Sequence, residues 1–422
     1  MLETFQILTT ETWAIRALLA SSMVGLMCGI LGCFIVLRNM SLIGDALSHA
    51  VLPGVFFAFV LFGYSTIGFF LGSTIAGLIT AIIISWIQQN VDTKGDAAIG
   101  IIFTAMFSIG VMGISWLNHS EGVHLDLKDF LFGTVLGISN EDIGLTFAIC
   151  VYTIVCVIIF YRQLFITTFQ STIAETMGVS VKTIHYFLML LLSFAIVASL
   201  RTVGVILVVA MLITPAATAL LLSDRLNRVI VISGIIGILS AIFGLIASIL
   251  LDTTPGPAMT ICATLFYFLA VLFSPKKGLL FRLRQNIIEK RRVVREDILR
   301  QVIKKYPDAS MGITEIAERL GMPVSTIAKY ARKMAQSHML AIENNEVTLT
   351  ESGVAKAEKL VRAHRLWETY QVNKMGLDSN QIHAEADLIE HFLSEELLDE
   401  IDKELGYPTK DPHDSPIPSK PT

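Results

Sequence analysis

Long apolar runs separated by short polar breaks fill the first two thirds of the chain. About 20 apolar residues cross a bilayer as a helix, and nine runs come close to or exceed that length. The breaks at Gly63-Tyr64-Ser65 and Arg201-Thr202 are so short that we predict kinked or re-entrant helix ends there. The pattern predicts an all-α polytopic membrane protein, with spans at residues 13–37, 42–62, 66–88, 97–117, 142–161, 184–201, 203–222, 228–251 and 258–274.

The pattern changes near residue 275, where shorter amphipathic helices and polar loops begin. Only nine of the 32 Lys and Arg residues precede Lys276, and only 13 of the 36 Asp and Glu residues do so. The whole chain is 53% hydrophobic with a mean hydropathy of +0.65, which is typical of a membrane protein. The part after residue 275 instead has the composition of a soluble domain.

Basic residues in the loops predict the orientation of the spans, because Lys and Arg accumulate on the cytoplasmic side. Lys276, Lys277 and the run at 290–292 place the C-terminal part in the cytoplasm. Counting back puts the other basic loops on the same side, those with Arg225 and Arg228, with Arg162 and Lys182, and with Arg38. The acidic segment 118–129 then falls outside.

Two ionisable residues, Asp45 and His49, interrupt the second apolar run. A spacing of four places carboxylate and imidazole on one face of a helix. Ionisable groups are costly at bilayer depth and usually mark a functional site there. The pair suits Mn, Fe or Zn better than Ca or K. The structural alternative is that Asp45 caps a helix start and His49 donates to a backbone carbonyl.

Three further features of the membrane part bear on its assembly. Gly25, Gly29 and Gly32 share a face that predicts close helix packing. Residues 170–178, in the longest cytoplasmic loop, form a predicted amphipathic helix that either docks a soluble partner or is a plain surface helix. The chain has no Gly-x-x-x-x-Gly-Lys-Ser/Thr motif, so we expect no ATPase and no other enzyme. Uphill transport would then draw on an ion gradient or on a separate ATPase.

Residues 44–54 (GDALSHAVLPG) and 211–219 (MLITPAATA) resemble the permease subunits of zinc, manganese and iron ABC importers. The resemblance covers residues 10–275 and implies a multi-pass protein of a prokaryotic cytoplasmic membrane. It implies that Asp45 and His49 lie on the translocation path. The implied partners are a second permease copy or paralogue, cytoplasmic ABC ATPase subunits and an extracytoplasmic metal-binding protein. The ATPase would dock on Ser171, Ala174, Glu175, Met177 and Gly178.

Residues 312–334 predict a helix, a Gly turn and a second helix, with Thr314 and Ser325 as N-caps. This is a helix-turn-helix whose basic second helix offers candidate DNA contacts at Ser325, Lys329, Arg332 and Lys333. Residues 339–343 and 346–350 flank Asn344-Asn345 and predict a wing hairpin. Winged helices also serve as dimerisation modules, so DNA is only one of two candidate partners for this domain.

Ligand-type side chains recur at helical spacing in the last 60 residues. His364 and Glu368 are four apart on one predicted helix. On the next, an i, i+4, i+7, i+8 pattern stacks four such residues on one face, namely His383, Asp387, Glu390 and His391. Because a packed helix would carry Leu at these positions, the pattern predicts a metal site, the alternative being a solvated polar face.

Residues 290–418, including 407–418 (YPTKDPHDSPIP), resemble the diphtheria-toxin-repressor family of iron- and manganese-dependent regulators. By position, the resemblance adds Asp297 to a site with Asp387, Glu390 and His391, which His364, Glu368 and His383 complete or adjoin. Asp387 stands where iron-type members carry cysteine, and this favours manganese over iron or zinc. One departure is Arg300, which stands where manganese-type members place a carboxylate.

Together with these patterns, the two resemblances imply a permease subunit of an ABC importer of a divalent transition metal, fused to a cytoplasmic metal sensor that we expect to give feedback control. The alternatives are a membrane-tethered or releasable metal-dependent repressor and an ion-coupled secondary metal carrier. We expect a winged helix-turn-helix followed by a helical dimerisation domain. The predicted limits are 1–275 for the permease, 276–290 for a basic linker, 291–355 for the winged helix, 356–410 for the metal-binding and dimerisation helices and 411–422 for a Pro-rich tail.

Overall fold

The computed structural model describes residues 10–63, 65–91, 95–120, 133, 137–305, 310–378, 382 and 389–420. The chain divides into two compact units, Met1–Arg282 and Leu283–Thr422. Each unit is described separately below.

The first unit is helical in the described residues. Nine of its described helical segments are long and apolar enough to cross a membrane, and they match the nine predicted spans. In chain order the helices are α1 (Thr12–Leu37), α2 (Ser41–Ala50), α3 (Leu52–Phe62), α4 (Thr66–Asn90), α5 (Gly95–Ser120), α6 (Asn140–Ile159), α7 (Tyr161–Phe169), α8 (Ser171–Thr176), α9 (Val181–Leu222), α10 (Leu226–Leu251) and α11 (Pro255–Phe273).

Two breaks fall within this helical frame. The second predicted span is two helices, α2 and α3, which meet at Val51. Pro53 lies in the first turn of α3 and has no N–H to donate to the carbonyl of His49, so the helical ladder is interrupted beside that histidine. The second break lies in α9, whose two spans, Val181–Leu200 and Thr202–Leu222, divide at Arg201, within the predicted break. The non-helical backbone of α9 lies at Gly204, which adopts φ +79°, two residues after the predicted pair Arg201-Thr202.

The glycine face of α1 packs closely on its neighbours, as predicted, with Gly25 and Gly29 against α10 and Gly32 against α9. A Cβ at Gly25 would lie 2.5 Å from the backbone oxygen of Gly237 on α10. One turn later, the Ser233 hydroxyl donates to the Gly29 carbonyl at 2.7 Å. Because the glycines have no side chains, the backbones of α1 and α10 come close enough for the Ser233 hydroxyl to reach the backbone of α1. Small residues permit this close approach between membrane helices.

The second unit contains most of α12 (Leu279–Ile303), a winged helix-turn-helix and the helices α15 (Glu351–Met375) and α16 (Glu395–Glu404). The winged helix comprises β1 (Met311–Gly312), α13 (Ile313–Leu320), α14 (Val324–Gln336), β2 (Leu340–Glu343) and β3 (Glu346–Leu349). The strands form an antiparallel sheet in the order β1-β3-β2. Asn344 and Asn345 both take positive φ, which closes the predicted wing hairpin.

Two details of this unit differ from the sequence-based expectation. The N-caps of α13 and α14 are Gly312 and Pro323, so Thr314 and Ser325 are not caps. Residues 279–290, predicted as linker, and residues 291–303, predicted as the start of the winged helix, belong to one continuous helix, α12. Its C-terminal half enters the core of the winged helix through Ile298, Leu299 and Val302. This fixes Glu296 and Asp297, the two acidic residues just before Ile298, relative to that core.

Candidate metal sites

The first candidate site is the pair Asp45 and His49 on α2. Asp45 Oδ1 lies 3.7 Å from His49 Nε2, and both residues belong to a segment apolar enough to cross a membrane. Asp45 stands in the middle of α2, whose N-cap is Met40, so the capping alternative is excluded. His49 Nδ1 is buried and has no hydrogen-bond partner among the described residues.

Two aromatic rings of α5 fix the imidazole of His49. Phe103 and Phe107 present their rings edge-on at centroid distances of 5.2 Å and 5.4 Å. Asp45 is more open, with 47% of its side chain accessible. A half-exposed carboxylate beside an imidazole held by two aromatic rings is a donor set suited to a divalent transition metal such as Mn, Fe or Zn.

The predicted docking segment is the short helix α8, which follows α7. Ala174 is fully buried and anchors α8, whereas Met177 is 54% exposed and Ile173 is 46% exposed. Ser171, Glu175 and Gly178 are also exposed. Gly178 ends the segment with φ +78°, a conformation that favours glycine. The segment therefore exposes two apolar side chains, Ile173 and Met177, among polar ones.

The second candidate site lies in the second unit, between α12 and the residues just before α16. Asp297, Glu390 and His391 each offer a ligand atom, and these atoms lie within 4.8 Å of one another. His391 Nε2 is 3.3 Å from Asp297 Oδ1 and 3.7 Å from Glu390 Oε1. Glu390 and His391 are buried, which excludes the solvated-face alternative for these two residues.

The other ring nitrogen of His391, Nδ1, contacts a residue that the sequence analysis did not single out. His391 Nδ1 lies 2.8 Å from Glu296 Oε2, and Glu296 is itself buried. This carboxylate can hold the proton on Nδ1 and leave Nε2 to face Asp297 and Glu390, the usual way in which an outer carboxylate orients a ligating histidine. The signal available in the sequence was a carboxylate three residues before Leu299, on the apolar stripe of α12.

Glu390 also connects to a neighbouring cluster on α15. His364 Nδ1 is 2.7 Å from Glu390 Oε2, and His364 Nε2 is 2.9 Å from Glu368 Oε1. The predicted residues His364, Glu368 and Glu390 are therefore brought together. His383 and Asp387 lie outside the described residues, so their positions stay predictions.

The electrostatics of the cluster are those of a site that holds positive charge. Burial lowers the pKa of His391, but hydrogen bonds with Asp297 and Glu296 and the charge of Glu390 outweigh it and raise the pKa to about 9. Burial also lowers the pKa of His364, but hydrogen bonds with Glu368 and Glu390 outweigh it, so that the pKa is raised. Both imidazoles gain a proton more readily than in water because carboxylates surround them.

The residues present fit a divalent cation. Both oxygens of Glu390 and Nε2 of His391 are buried, and their close contacts among the described residues are with His364, Arg300 and Asp297. A buried carboxylate is costly unless positive charge compensates it, and a divalent cation supplies such charge. Carboxylate and imidazole ligands suit Mn, Fe and Zn.

The candidate DNA contacts stand apart from this cluster on α14. Ser325, Lys329, Arg332 and Lys333 are all exposed. Together with Arg291 and Arg295 of α12, Lys329 and Lys333 line a basic cavity of about 440 Å³.

Comparison with known proteins identifies both halves. Residues 11–274 match the ABC 3 transport family, and residues 350–419 match the iron dependent repressor, metal binding and dimerisation domain. A chain of the structure titled PsaBC from Streptococcus pneumoniae in complex with Fab superposes with a TM-score of 0.60 at 37% identity. The superposition covers 67% of this chain and 99% of that one.

Two relatives are both called manganese transport system membrane protein MntC. The protein from Halalkalibacterium halodurans is 45% identical over 278 residues, which is 66% of this chain and 93% of that protein. The protein from Bacillus subtilis is 32% identical over 374 residues, 86% of each chain, so the similarity extends beyond the membrane unit. The chain is thus a multi-pass membrane protein that belongs to the ABC 3 transport family, with an iron-dependent-repressor-type metal-binding and dimerisation domain fused to its C-terminal end.

Proposed function

We propose that this chain is the permease subunit of an importer that moves Mn²⁺ across the cytoplasmic membrane, with Zn²⁺ and Fe²⁺ as the competing cargoes. The observation that carries the proposal is the Asp45–His49 pair in an apolar helix, with a buried His49 nitrogen that lacks a partner among the described residues. The names of the MntC relatives favour manganese among the metals that this donor set admits.

The energy for import comes from a separate ATPase in this proposal, and the permease itself catalyses no reaction. The chain has no phosphate-binding loop, and the exposed Ile173 and Met177 of α8 suit contact with a soluble subunit. An extracytoplasmic metal-binding protein would deliver the ion, and a second copy or a paralogue would complete the pore. Membership of the ABC 3 family argues against an ion-coupled carrier that works alone.

Transport by the permease reconstituted with its ATPase tests the cargo path. Asp45→Ala and His49→Ala are expected to reduce ATP-driven Mn²⁺ uptake to background while the ATPase still co-purifies. Asp96→Ala is the matched control, because Asp96 is an exposed carboxylate in the first turn of α5. Normal uptake by both Asp45→Ala and His49→Ala would refute the path.

We further propose that the C-terminal unit binds the imported metal through Asp297, Glu390 and His391 and slows transport when cytoplasmic metal is high. His383, Asp387, His364 and Glu368 complete or adjoin that site in this proposal. The supporting observation is the buried Glu390 and His391 pair, whose lone pairs converge with Asp297. Coupling of two metal sites in one polypeptide is the simplest role for a sensor that is fused to a permease.

A second candidate function is metal-dependent DNA binding by the tethered or released unit. The exposed Lys329, Arg332 and Lys333 on α14 favour it, and such a helix would enter the major groove. A gel-shift assay with operator-length DNA, with and without Mn²⁺, tests this function in the full chain. Metal-dependent DNA binding together with metal-insensitive transport would favour the repressor over feedback.

A further inference from the structure

Arg300 brings a permanent positive charge into the metal-ligand cluster of the second unit. It lies three residues after Asp297 on α12, about one helical turn further along. Its Nη1 is 3.4 Å from Glu390 Oε1, and its Nη2 is 3.3 Å from His364 Nε2. Only 16% of the side chain is exposed. The guanidinium is therefore a component of the cluster and not a solvated surface charge.

Glu390 lies between two positions for a cation. On one side its Oε1 approaches His391 Nε2, beside Asp297. On the other side stands a second set of ligand types, His364 and Glu368, joined to Glu390 through the imidazole. The guanidinium of Arg300 contacts His364 of this second set and also reaches Glu390 Oε1, the oxygen that faces His391. The Glu390 side chain is fully buried, so its charge is costly unless neighbouring cations compensate it.

We propose that Arg300 is a built-in cation that occupies the second position, so that each chain's sensor unit takes one divalent ion, at Asp297, Glu390 and His391. This inference rests on the proposed sensing site. Arginine has no acceptor and cannot act as a ligand, and its guanidinium stays protonated at any physiological pH. Arg300 therefore excludes a second divalent ion by occupying its ligands and by like-charge repulsion.

Counting bound Mn²⁺ in the purified full-length chain tests the proposal. The wild type and the double variant Asp297→Ala/His391→Ala are equilibrated with Mn²⁺ and analysed by elemental analysis against protein concentration. The membrane site is the same in both chains, so the difference between them reports the sensor unit alone. The proposal predicts a difference of one ion per chain.

Replacing Arg300 tests the same idea in the opposite direction. Arg300→Glu supplies a carboxylate in place of the guanidinium and is expected to raise the count by one ion per chain. Arg295→Glu is the matched control, because it makes the same charge reversal on an exposed face of α12 and should leave the count unchanged. An unchanged count in a folded Arg300→Glu chain would overturn the proposal and leave Arg300 as an ion-pair partner only.

The wild-type count decides the matter even where Arg300→Glu fails to fold. A loss of two ions in the double variant would show two divalent ions bound beside Arg300, which overturns this inference and leaves the sensing site intact. A loss of no ion would refute the sensing site, and this inference with it.

Discussion

His391 is the residue at which metal binding and protonation meet. Its Nδ1 faces Glu296 and its Nε2 faces Asp297 and Glu390. One nitrogen is therefore tied to an orienting carboxylate while the other is directed at the candidate ligands. The carboxylates that would bind a metal ion also stabilise the protonated imidazole of His391 when no metal is bound.

Removing the orienting carboxylate should weaken metal binding without removing a ligand. Glu296→Gln is expected to lower Mn²⁺ affinity by about 10- to 100-fold, the usual cost of losing an outer partner of a ligating histidine. Titration calorimetry on the full chain measures it. Glu318→Gln, an exposed glutamate of α13, is the matched control and should leave the affinity unchanged. Wild-type affinity in Glu296→Gln would show that His391 needs no such orientation.

The raised pKa of His391 predicts a pH dependence of binding that extends well above neutrality. The metal must displace the proton, which His391 retains below a pKa of about 9. Affinity at the sensing site should therefore rise by about tenfold per pH unit from pH 7 towards pH 9, as displacement of one proton requires. If the pKa of His391 were the ordinary value of about 6.5, the metal affinity would instead stop rising above about that pH. Calorimetry in buffers of different ionisation enthalpy measures the proton released, and a plateau from pH 7 upward would contradict the geometry.

The sequence predicted the candidate metal ligands better than it predicted the residues that contact and orient them. Spacing singled out Glu390 and His391, and the structure brings them together with Asp297. Glu296 was missed because its position on the apolar stripe of α12 is the only signal for it, and the neighbouring Asp297 was selected by the family resemblance instead. The contacts of Arg300 were also out of reach, since they depend on how α12 meets α15.

At the scale of elements, the close contact of α1 with α10 depends on two glycines facing each other. Gly25→Ala would place a methyl group 2.5 Å from the Gly237 oxygen, and overpacking of this kind costs about 1–3 kcal/mol. We expect a lower melting temperature in detergent for Gly25→Ala. Gly144→Ala on α6, where a Cβ meets no atom within 4 Å, should leave it unchanged. Equal melting temperatures for both variants would contradict the packing.

The helix α8 should fail to bind its partner when its exposed apolar surface is charged. Met177→Asp is expected to abolish co-purification of the ATPase subunit, because burying a carboxylate in an apolar interface is strongly unfavourable. Met375→Asp is the control, since that methionine at the end of α15 is 52% exposed against 54% for Met177. Co-purification at the wild-type level with Met177→Asp would exclude α8 as the docking element.

Apolar runs located the membrane helices closely, because span length and composition are properties of the chain itself. The breaks were harder to predict. A proline marks the α2–α3 junction, yet Ala50, Val51 and Leu52 before it are apolar, and the length of the run predicts one span. In α9 the turn falls on Gly204, the residue that tolerates positive φ, and not on the polar pair that precedes it.

At the scale of the whole molecule, one chain combines a transport path with a metal-binding domain. The membrane unit belongs to the ABC 3 family, and residues 350–419 match a domain of metal-dependent repressors. In the proposed mechanism the second unit reports cytoplasmic Mn²⁺ to the first. This requires that occupancy of one metal site changes the behaviour of the other.

The most direct test is ATP-driven Mn²⁺ uptake by the reconstituted permease–ATPase complex as Mn²⁺ on the cytoplasmic side is raised. We expect wild-type uptake to slow as the sensing site fills, while Asp297→Ala/His391→Ala keeps its initial rate at every cytoplasmic Mn²⁺ concentration. Uptake by both chains should be equal when cytoplasmic Mn²⁺ is chelated. Wild-type uptake that does not change with cytoplasmic Mn²⁺, or a double variant that slows as the wild type does, would rule out feedback by the second unit.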